Sequence, residues 1–185
     1  MKNKLLAFVL ALTMVISLIP GVVYANGDEA KVAQIGETKY DTLEAAINAA
    51  SDGAIVKLLK NTSGNGIKIS QSAFVSNGLT VDFGGHTYTV NGNTVGSTGT
   101  ETNGFQLLKD NKITFKNGTI TSAKAKILIQ NYSDLTLDKM TLSMDNTSYT
   151  SAYTLSNNNG NIVISGSTIT ANKAGGFAFD VCRFS

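Results

Sequence analysis

Charged and polar side chains recur at one position of this chain, and this pattern comes closest to a catalytic centre. Asp82, Lys116, Asp138 and Ser165 each directly follow a strand-like triplet whose first and third residues are apolar. A column of carboxylates could hold calcium, and a lysine beside it could act as a base. Lys116 stands between the two carboxylates, however, which favours a charge-neutral stack. We therefore predict no metal site and no cofactor, with Asp82 and Asp138 as weak metal candidates only.

The other reactive side chains lack the partners that catalysis needs. Glycoside hydrolases use two carboxylates about 5–10 Å apart across a cleft. Asp134 and Asp138 are close in sequence, but we expect one in a turn and the other after a strand. The sole histidine, His86, follows Gly84-Gly85, a pair typical of a tight turn. Cys182 is the only cysteine and has no histidine near it in sequence. We predict no catalytic residues.

Aromatic and amide side chains near predicted turns are the binding candidates. Asn157-Asn158-Asn159, with Asn131 and Asn111 at comparable turns, are predicted to stack as amide ladders that satisfy turn backbone groups. Tyrosine rings can stack on the apolar faces of sugars. The predicted ligand-binding residues are Tyr132, Tyr149, Asn157 and Asn158, whereas Tyr153 is expected to face inward.

These residues are positioned by a repeat. One three-residue strand pattern, here called the first phrase, recurs as Leu79-Thr80-Val81, Ile113-Thr114-Phe115, Leu135-Thr136-Leu137 and Ile162-Val163-Ile164. A second follows each time, as Thr87-Tyr88-Thr89, Thr119-Ile120-Thr121, Thr141-Leu142-Ser143 and Thr168-Ile169-Thr170. A period of about 20–30 residues is typical of stacked repeats. We predict an all-β right-handed parallel β-helix, with an antiparallel sandwich or jelly roll as the alternative.

A third strand completes each predicted coil. These strands are Phe105-Gln106-Leu107, Ile127-Leu128-Ile129, Tyr153-Thr154-Leu155 and Phe177-Ala178-Phe179. The outward threonines of the second phrase could form two ranks on a flat face, as in ice-binding β-helices. Irregular coil lengths and the general preference of threonine for strands favour a structural role instead.

The segment before the repeats has its own pattern. Residues 31–40 predict a hairpin around Gly36-Glu37, and Asp41 or Thr42 can cap a helix, with Glu44 placed for a capping box. Leu43, Ala46, Ile47 and Ala50 fall on one helical face. Residues 54–59 then read as an apolar strand. An amphipathic helix here would cover the edge of the first coil.

The sequence of residues 31–59 resembles that of the N-terminal module of secreted, pectate-lyase-like right-handed β-helix proteins. It is particularly similar to that of surface proteins from Gram-positive bacteria. In that family the helix caps the solenoid and the strand after Asp52-Gly53 starts the first coil. The resemblance implies this fold and a cell-surface location, and it does not imply lyase activity.

The ends of the chain bear on location. Lys2 and Lys4, an apolar run from Leu5 to Ile19 and the small residues before Asn26 predict a secretory signal peptide over residues 1–25. Its removal balances the acidic and basic side chains, and the only arginine is Arg183. We therefore expect no nucleic-acid partner and no membrane span after signal removal. A single cysteine suits an exported bacterial protein without an internal disulfide.

We thus predict a polar leader, hairpin and capping helix over residues 26–60 and β-helix coils over residues 61–185. The last predicted coil lacks the polar outer face that terminal repeats normally carry. We therefore expect either that the chain is a fragment of a protein with downstream domains, or that a partner covers this coil. The expected function is non-catalytic adhesion or carbohydrate binding at the cell surface or outside the cell, with a polysaccharide or host surface glycan as partner. The alternatives are a polysaccharide lyase or glycoside hydrolase whose catalytic coils lie outside this chain or in the 91–103 insertion, and a structural spacer.

Overall fold

The structure, a computed structural model, describes residues 30–145 and 148–183. The predicted signal peptide and the start of the polar leader lie outside the described residues. The part that is described contains one short helix and fifteen strands, and stacked parallel coils form a β-solenoid of about 5 turns. The prediction of a right-handed parallel β-helix with a helical N-terminal module is confirmed.

The N-terminal module has the predicted order. Strands β1 (Ala33–Ile35) and β2 (Thr38–Tyr40) pair as an antiparallel hairpin. Helix α1 (Leu43–Ala49) begins after Thr42, whose hydroxyl accepts a hydrogen bond from the Ala45 amide at 3.0 Å. Its buried residues are Leu43, Ala46 and Ile47, which belong to the same core as the first coils.

Five coils follow, each with three strand segments. The first contains β3 (Ile55–Leu58), β4 (Thr62–Gly64) and β5 (Ile67–Ile69); the second contains β6 (Leu79–Asp82), β7 (Thr87–Val90) and β8 (Asn103–Leu107). The third and fourth contain β9 (Lys112–Ser122) with β10 (Ile127–Asn131) and β11 (Asp134–Met144) with β12 (Tyr153–Asn158). The fifth contains β13 (Asn161–Ser165), β14 (Thr168–Ala171) and β15 (Phe177–Cys182). Because β3 pairs in parallel with β6, the first coil begins at Ile55.

The two repeated phrases stack in register, as the sequence predicts. Leu79 pairs with Ile113, which pairs with Leu135, which pairs with Ile162. The second phrases align in the same way from Thr87 to Thr168, so the threonines do form two ranks. In the third and fourth coils the two phrases belong to one continuous strand of 11 residues, β9 and β11, rather than to two separate strands.

One pair of third strands, β8 and β10, is offset from the alignment suggested by their apolar residues, whereas Ile127, Tyr153 and Phe177 pair as that alignment suggests. Phe105 pairs with Ile129 and not with Ile127, whose partner is Asn103. The reason is local: both Leu128 and Ile129 are fully buried, so inward positions do not alternate strictly at this corner. The offset places Gln106 beside Gln130 on adjacent strands.

Apolar side chains fill the interior from the hairpin to the fourth coil. Phe105 lies at the centre of an aromatic cluster, with ring centroids 5.4 Å from Phe115 and 5.9 Å from Tyr88, both edge to face. Edge-to-face pairs add about 0.5–1.5 kcal/mol each beyond the area that they bury. This cluster fills the interior of the second and third coils, beneath the candidate site.

The fifth coil exposes side chains whose counterparts in earlier coils are buried. Ile164, Phe179 and Val181 are 41%, 43% and 65% exposed, whereas Leu137 and Leu155 are fully buried. Nothing within the described ranges stacks on this coil after β15. In those same ranges, no helix has the length and apolar character needed to cross a membrane.

Candidate functional site

A cleft of about 280 Å³ opens on the outer face of the sheet formed by β5, β8, β10, β12 and β15. The 91–102 loop, which connects β7 to β8, forms one wall. The floor comes from β8 and β10. The lining residues are Ser97, Thr100, Thr102, Asn103, Gln106, Lys126, Ile127, Gln130 and Tyr132.

The wall is held against the coils by main-chain and lysine contacts. Val95 and Asn103 exchange two backbone hydrogen bonds of 2.8 Å, which fold the loop back on the start of β8. The ammonium groups of Lys68 and Lys124 donate to the carbonyls of Gly96 and Gly92. The 91–103 insertion is therefore part of the second coil and does not separate two domains.

Glycine allows the loop to approach this closely. A Cβ atom at Gly66 would lie 2.8 Å from the carbonyl oxygens of Asn103 and Gly104 and 3.1 Å from the Val95 nitrogen. Backbone atoms on both sides leave no room for it. The position of the cleft wall therefore depends on the absence of a side chain at Gly66, in the first coil.

Three amide side chains form the floor. Gln130 Oε1 accepts hydrogen bonds from Asn103 Nδ2 at 2.8 Å and from Gln106 Nε2 at 2.9 Å. Asn103 and Gln106 are each only 3% exposed. Neighbouring strands in a sheet lie about 4.8 Å apart, which brings these side chains within reach of one another.

One polar atom of this floor has no partner. Gln106 Oε1 is the one buried side-chain nitrogen or oxygen in the described chain that makes no hydrogen bond. Leaving such an acceptor unsatisfied costs about 1–3 kcal/mol. A donor group that reaches this oxygen would recover this cost, which makes Gln106 a candidate ligand contact in the cleft.

Tyr132 adds an aromatic surface at the end of the floor. Its hydroxyl accepts a hydrogen bond from Asn158 Nδ2 at 3.3 Å, and its backbone amide donates to the Leu107 carbonyl. Asn158 Oδ1 in turn accepts from the Ser156 hydroxyl at 2.9 Å. Two of the four predicted binding residues, Tyr132 and Asn158, therefore act together, with the second orienting the first.

The other two predicted binding residues lie elsewhere. Asn157 is 6% exposed; its Oδ1 accepts from Asn131 Nδ2 at 2.7 Å and its Nδ2 donates to the Gly160 carbonyl. Its side-chain bonds are used within the protein. Tyr149 lies in the turn before β12, outside the cleft, where its carbonyl accepts a hydrogen bond from Lys173 Nζ.

The amide ladder is confirmed for Asn131 and Asn157 and is wrong for Asn111. Asn111 belongs to a different turn, because its Oδ1 accepts from the Phe74 amide and its Nδ2 donates to the Ser70 and Leu108 carbonyls. The expectation that Tyr153 faces inward is also wrong. Tyr153 is half-buried and stacks on Phe177, itself 48% exposed, at a centroid distance of 5.0 Å.

The predicted charged column is present. Asp82 pairs in register with Lys116, Lys116 with Asp138, and Asp138 with Ser165. Lys116 Nζ lies 3.5 Å from Asp82 Oδ2. Burial alone would raise the pKa of the Asp82 carboxyl, but hydrogen bonds from the Gly84 amide and the Asn117 side chain, with the Lys116 charge, hold it below its usual value.

This geometry predicts a stability change in acid. A carboxyl with a lowered folded-state pKa stabilises the fold above its unfolded value, here 3.8, and loses that contribution as the pH falls through the folded pKa. Lys116→Met and Asp82→Asn should each cost about 0.5–1 kcal/mol of unfolding free energy at pH 7. Urea midpoints at pH 7 and pH 2.5 measure this. For Asp82→Asn the difference from the native protein should shrink at pH 2.5; an undiminished difference would contradict the assignment.

The remaining reactive residues are scattered. Asp134 and Asp138 both lie in β11, so the expectation of one in a turn is wrong. His86 closes a tight turn in which Gly84 and Gly85 have φ of 58° and 83°, as predicted. Cys182 is half-exposed at the end of β15. Across residues 30–145 and 148–183, no group of three or more His, Cys, Asp or Glu side chains is placed to hold a metal ion.

Sequence reasoning did not find Asn103, Gln106, Ile127 and Gln130. Gln106 and Gln130 each follow an apolar residue, Phe105 and Ile129, on a third strand, 24 positions apart. That recurrence was a usable signal. It was hidden because aligning Phe105 with Ile127 moves the two glutamines out of register.

Comparisons with protein-family models, with curated proteins and with solved structures return no match for this chain.

Proposed function

We propose that this protein is an exported bacterial surface module that binds polysaccharide without cleaving it, as an adhesion or carbohydrate-binding domain. The proposal includes the predicted signal peptide, secretion or display at the cell surface, and the resemblance of residues 31–59 to Gram-positive β-helix surface proteins. Its partner would be a polysaccharide or a host surface glycan.

The observation that carries the proposal is the unsatisfied oxygen of Gln106 in the floor of the cleft. Sugar-binding sites combine hydrogen-bonding amides with an aromatic ring, because a sugar has hydroxyl edges and apolar faces. Asn103, Gln106 and Gln130 supply the amides and Tyr132 the ring. Hydroxyl groups of Ser97, Thr100 and Thr102 line the opposite wall.

The lining residues favour binding over hydrolysis. Lys126 is the only charged residue among the residues that line the cleft, and none of them carries a carboxylate. Glycosidic hydrolysis uses an acid and a second carboxylate on opposite sides of the bond. A lone lysine without a carboxylate partner does not provide that pair, so retention of the sugar chain is the role that this cleft fits.

A glycan array probed with the full secreted protein tests the proposal. We expect binding to a restricted set of glycans, with no product released from any of them in a reducing-end assay. Array binding that is absent at protein concentrations up to about 100 μM would contradict carbohydrate binding and favour the spacer. Release of oligosaccharide products would contradict the non-catalytic role.

A further inference from the structure

We propose, resting on the function above, that the cleft recognises the acetamido group of an N-acetylated amino sugar. The inference comes from the chemistry of three neighbouring features of the cleft: the unsatisfied acceptor on Gln106, the apolar side chain of Ile127, and the hydrogen-bond donors on the wall. An acetamido group has one counterpart for each: an N–H, a methyl group and a carbonyl oxygen.

Gln106 Oε1 sets the first requirement. Its amide nitrogen already donates to Gln130, so the side chain is fixed and its oxygen can only accept. An amide N–H meets this need with one directed donor. A sugar hydroxyl also donates, so Gln106 alone does not separate an acetylated sugar from a plain hexose.

Ile127 distinguishes the acetylated sugar from the plain hexose. It pairs in register with Asn103, lines the cleft and is half-buried, next to the amide floor. An apolar side chain beside hydrogen-bonding groups suits a ligand that ends in a methyl group close to its N–H. A plain hexose would place a hydroxyl there, which gains nothing from burial against Ile127.

The charge of the lining excludes the free amino sugar. Lys126 is the charged group of the cleft, and the residues that line it supply no carboxylate to a ligand ammonium. A deacetylated sugar is cationic at neutral pH and would be repelled by Lys126. Lys126 and the hydroxyl groups of Thr100 and Thr102 can instead donate to an acetyl oxygen.

Three oligosaccharides that differ only at the sugar C2 position test this inference by titration calorimetry on the full secreted protein. They are the tetrasaccharides of β-1,4-linked N-acetylglucosamine, of glucosamine and of glucose. We expect the acetylated chain to bind at least about tenfold more tightly than either of the others, because it alone fills the apolar and acceptor positions together. Equal binding of the acetylated and plain chains, or tighter binding of the amine, would overturn the inference.

The test separates this inference from the proposed function. If none of the three chains binds but the array identifies another glycan, acetamido recognition is wrong and carbohydrate binding stands. If neither the array nor calorimetry detects any glycan, both are wrong. Retention on insoluble chitin compared with peptidoglycan, both of which carry the acetamido group, distinguishes the polymers that could supply it.

Two variants assign the specificity to the proposed residues. Ile127→Ser should reduce the preference for the acetylated over the plain chain about tenfold. Gln106→Met should weaken binding of the acetylated chain about tenfold with little change in melting temperature, because it removes an unsatisfied polar atom and Gln130 Oε1 keeps its hydrogen bond from Asn103. The matched controls Ile55→Ser and Gln34→Met lie on other strands and should bind normally. Unchanged selectivity in Ile127→Ser would overturn the inference.

Discussion

Replacing Asn131 by leucine should lower the unfolding free energy by about 3–5 kcal/mol, although leucine has the same number of side-chain heavy atoms as asparagine and the same branching at Cγ. Asn131 is fully buried. Its Nδ2 donates to Asn157 Oδ1 at 2.7 Å and to the Ser133 carbonyl at 3.0 Å, and its Oδ1 accepts from the Ser133 amide and hydroxyl. The substitution leaves several buried groups without partners at once.

The residues that pair in register with Asn131 in the other coils allow this prediction to separate the effect of hydrogen bonding from that of packing. The register partners in the first, second and fifth coils are Ile69, Leu107 and Val181, so an apolar side chain at this position is compatible with the solenoid. If packing alone mattered, Asn131→Leu would be neutral or stabilising. Because hydrogen bonding to the turn matters, it should be among the most damaging substitutions in the chain.

Urea denaturation followed by circular dichroism measures the effect. Asn48→Leu, on the exposed surface of α1, is the matched control and should change stability by less than about 0.5 kcal/mol. The double variant Asn131→Leu with Asn157→Leu should recover part of the loss, since both partners are then apolar. A loss below about 1 kcal/mol in the single variant would contradict the ladder.

Replacing Tyr132 by alanine should weaken glycan binding at least about tenfold, because the ring is the only aromatic surface among the residues that line the cleft. Tyr132→Phe keeps the ring and loses only the hydroxyl that accepts a hydrogen bond from Asn158. It should bind within about threefold of the native protein.

Calorimetry with the tightest glycan from the array measures these affinities. Tyr149→Ala is the matched control, since Tyr149 was an equal candidate from sequence and lies outside the cleft. Melting temperatures of all three variants show whether any loss of binding reflects unfolding. Equal losses in Tyr132→Ala and Tyr149→Ala would argue that neither ring contacts the ligand specifically.

The coils could be predicted from sequence because their signal is local and repeated. The phrase that begins Leu79-Thr80-Val81 alternates inward and outward residues, and the same pattern returns in each coil. The hairpin and α1 carried their own signals in the Gly36 turn and the Thr42 cap. Short-range physics therefore determined most of the scaffold.

The cleft could not be predicted in the same way because it depends on register and on an irregular loop. Tyr132 and Asn158 were found as residue types that suit sugars, but their contact depends on the register between β10 and β12, in which Asn131 pairs with Asn157. Gln106 is a polar residue in a strand like many others. The side chain of Gln106 is buried, with one oxygen left unsatisfied, because the 91–102 loop folds over it. That loop is held in place by its close approach to Gly66 and by the Lys68 hydrogen bond.

The central claim is that the cleft between the 91–102 loop and the floor of β8 and β10 binds a glycan. Its most direct test is an NMR titration of the labelled protein with the N-acetylglucosamine tetrasaccharide, or with the tightest array ligand if that chain does not bind. The account predicts that the largest shifts fall on the side-chain amides of Asn103, Gln106 and Gln130 and on the backbone of Ile127 and Tyr132. Shifts confined to the outward threonine ranks of β7, β9 and β11 would contradict it.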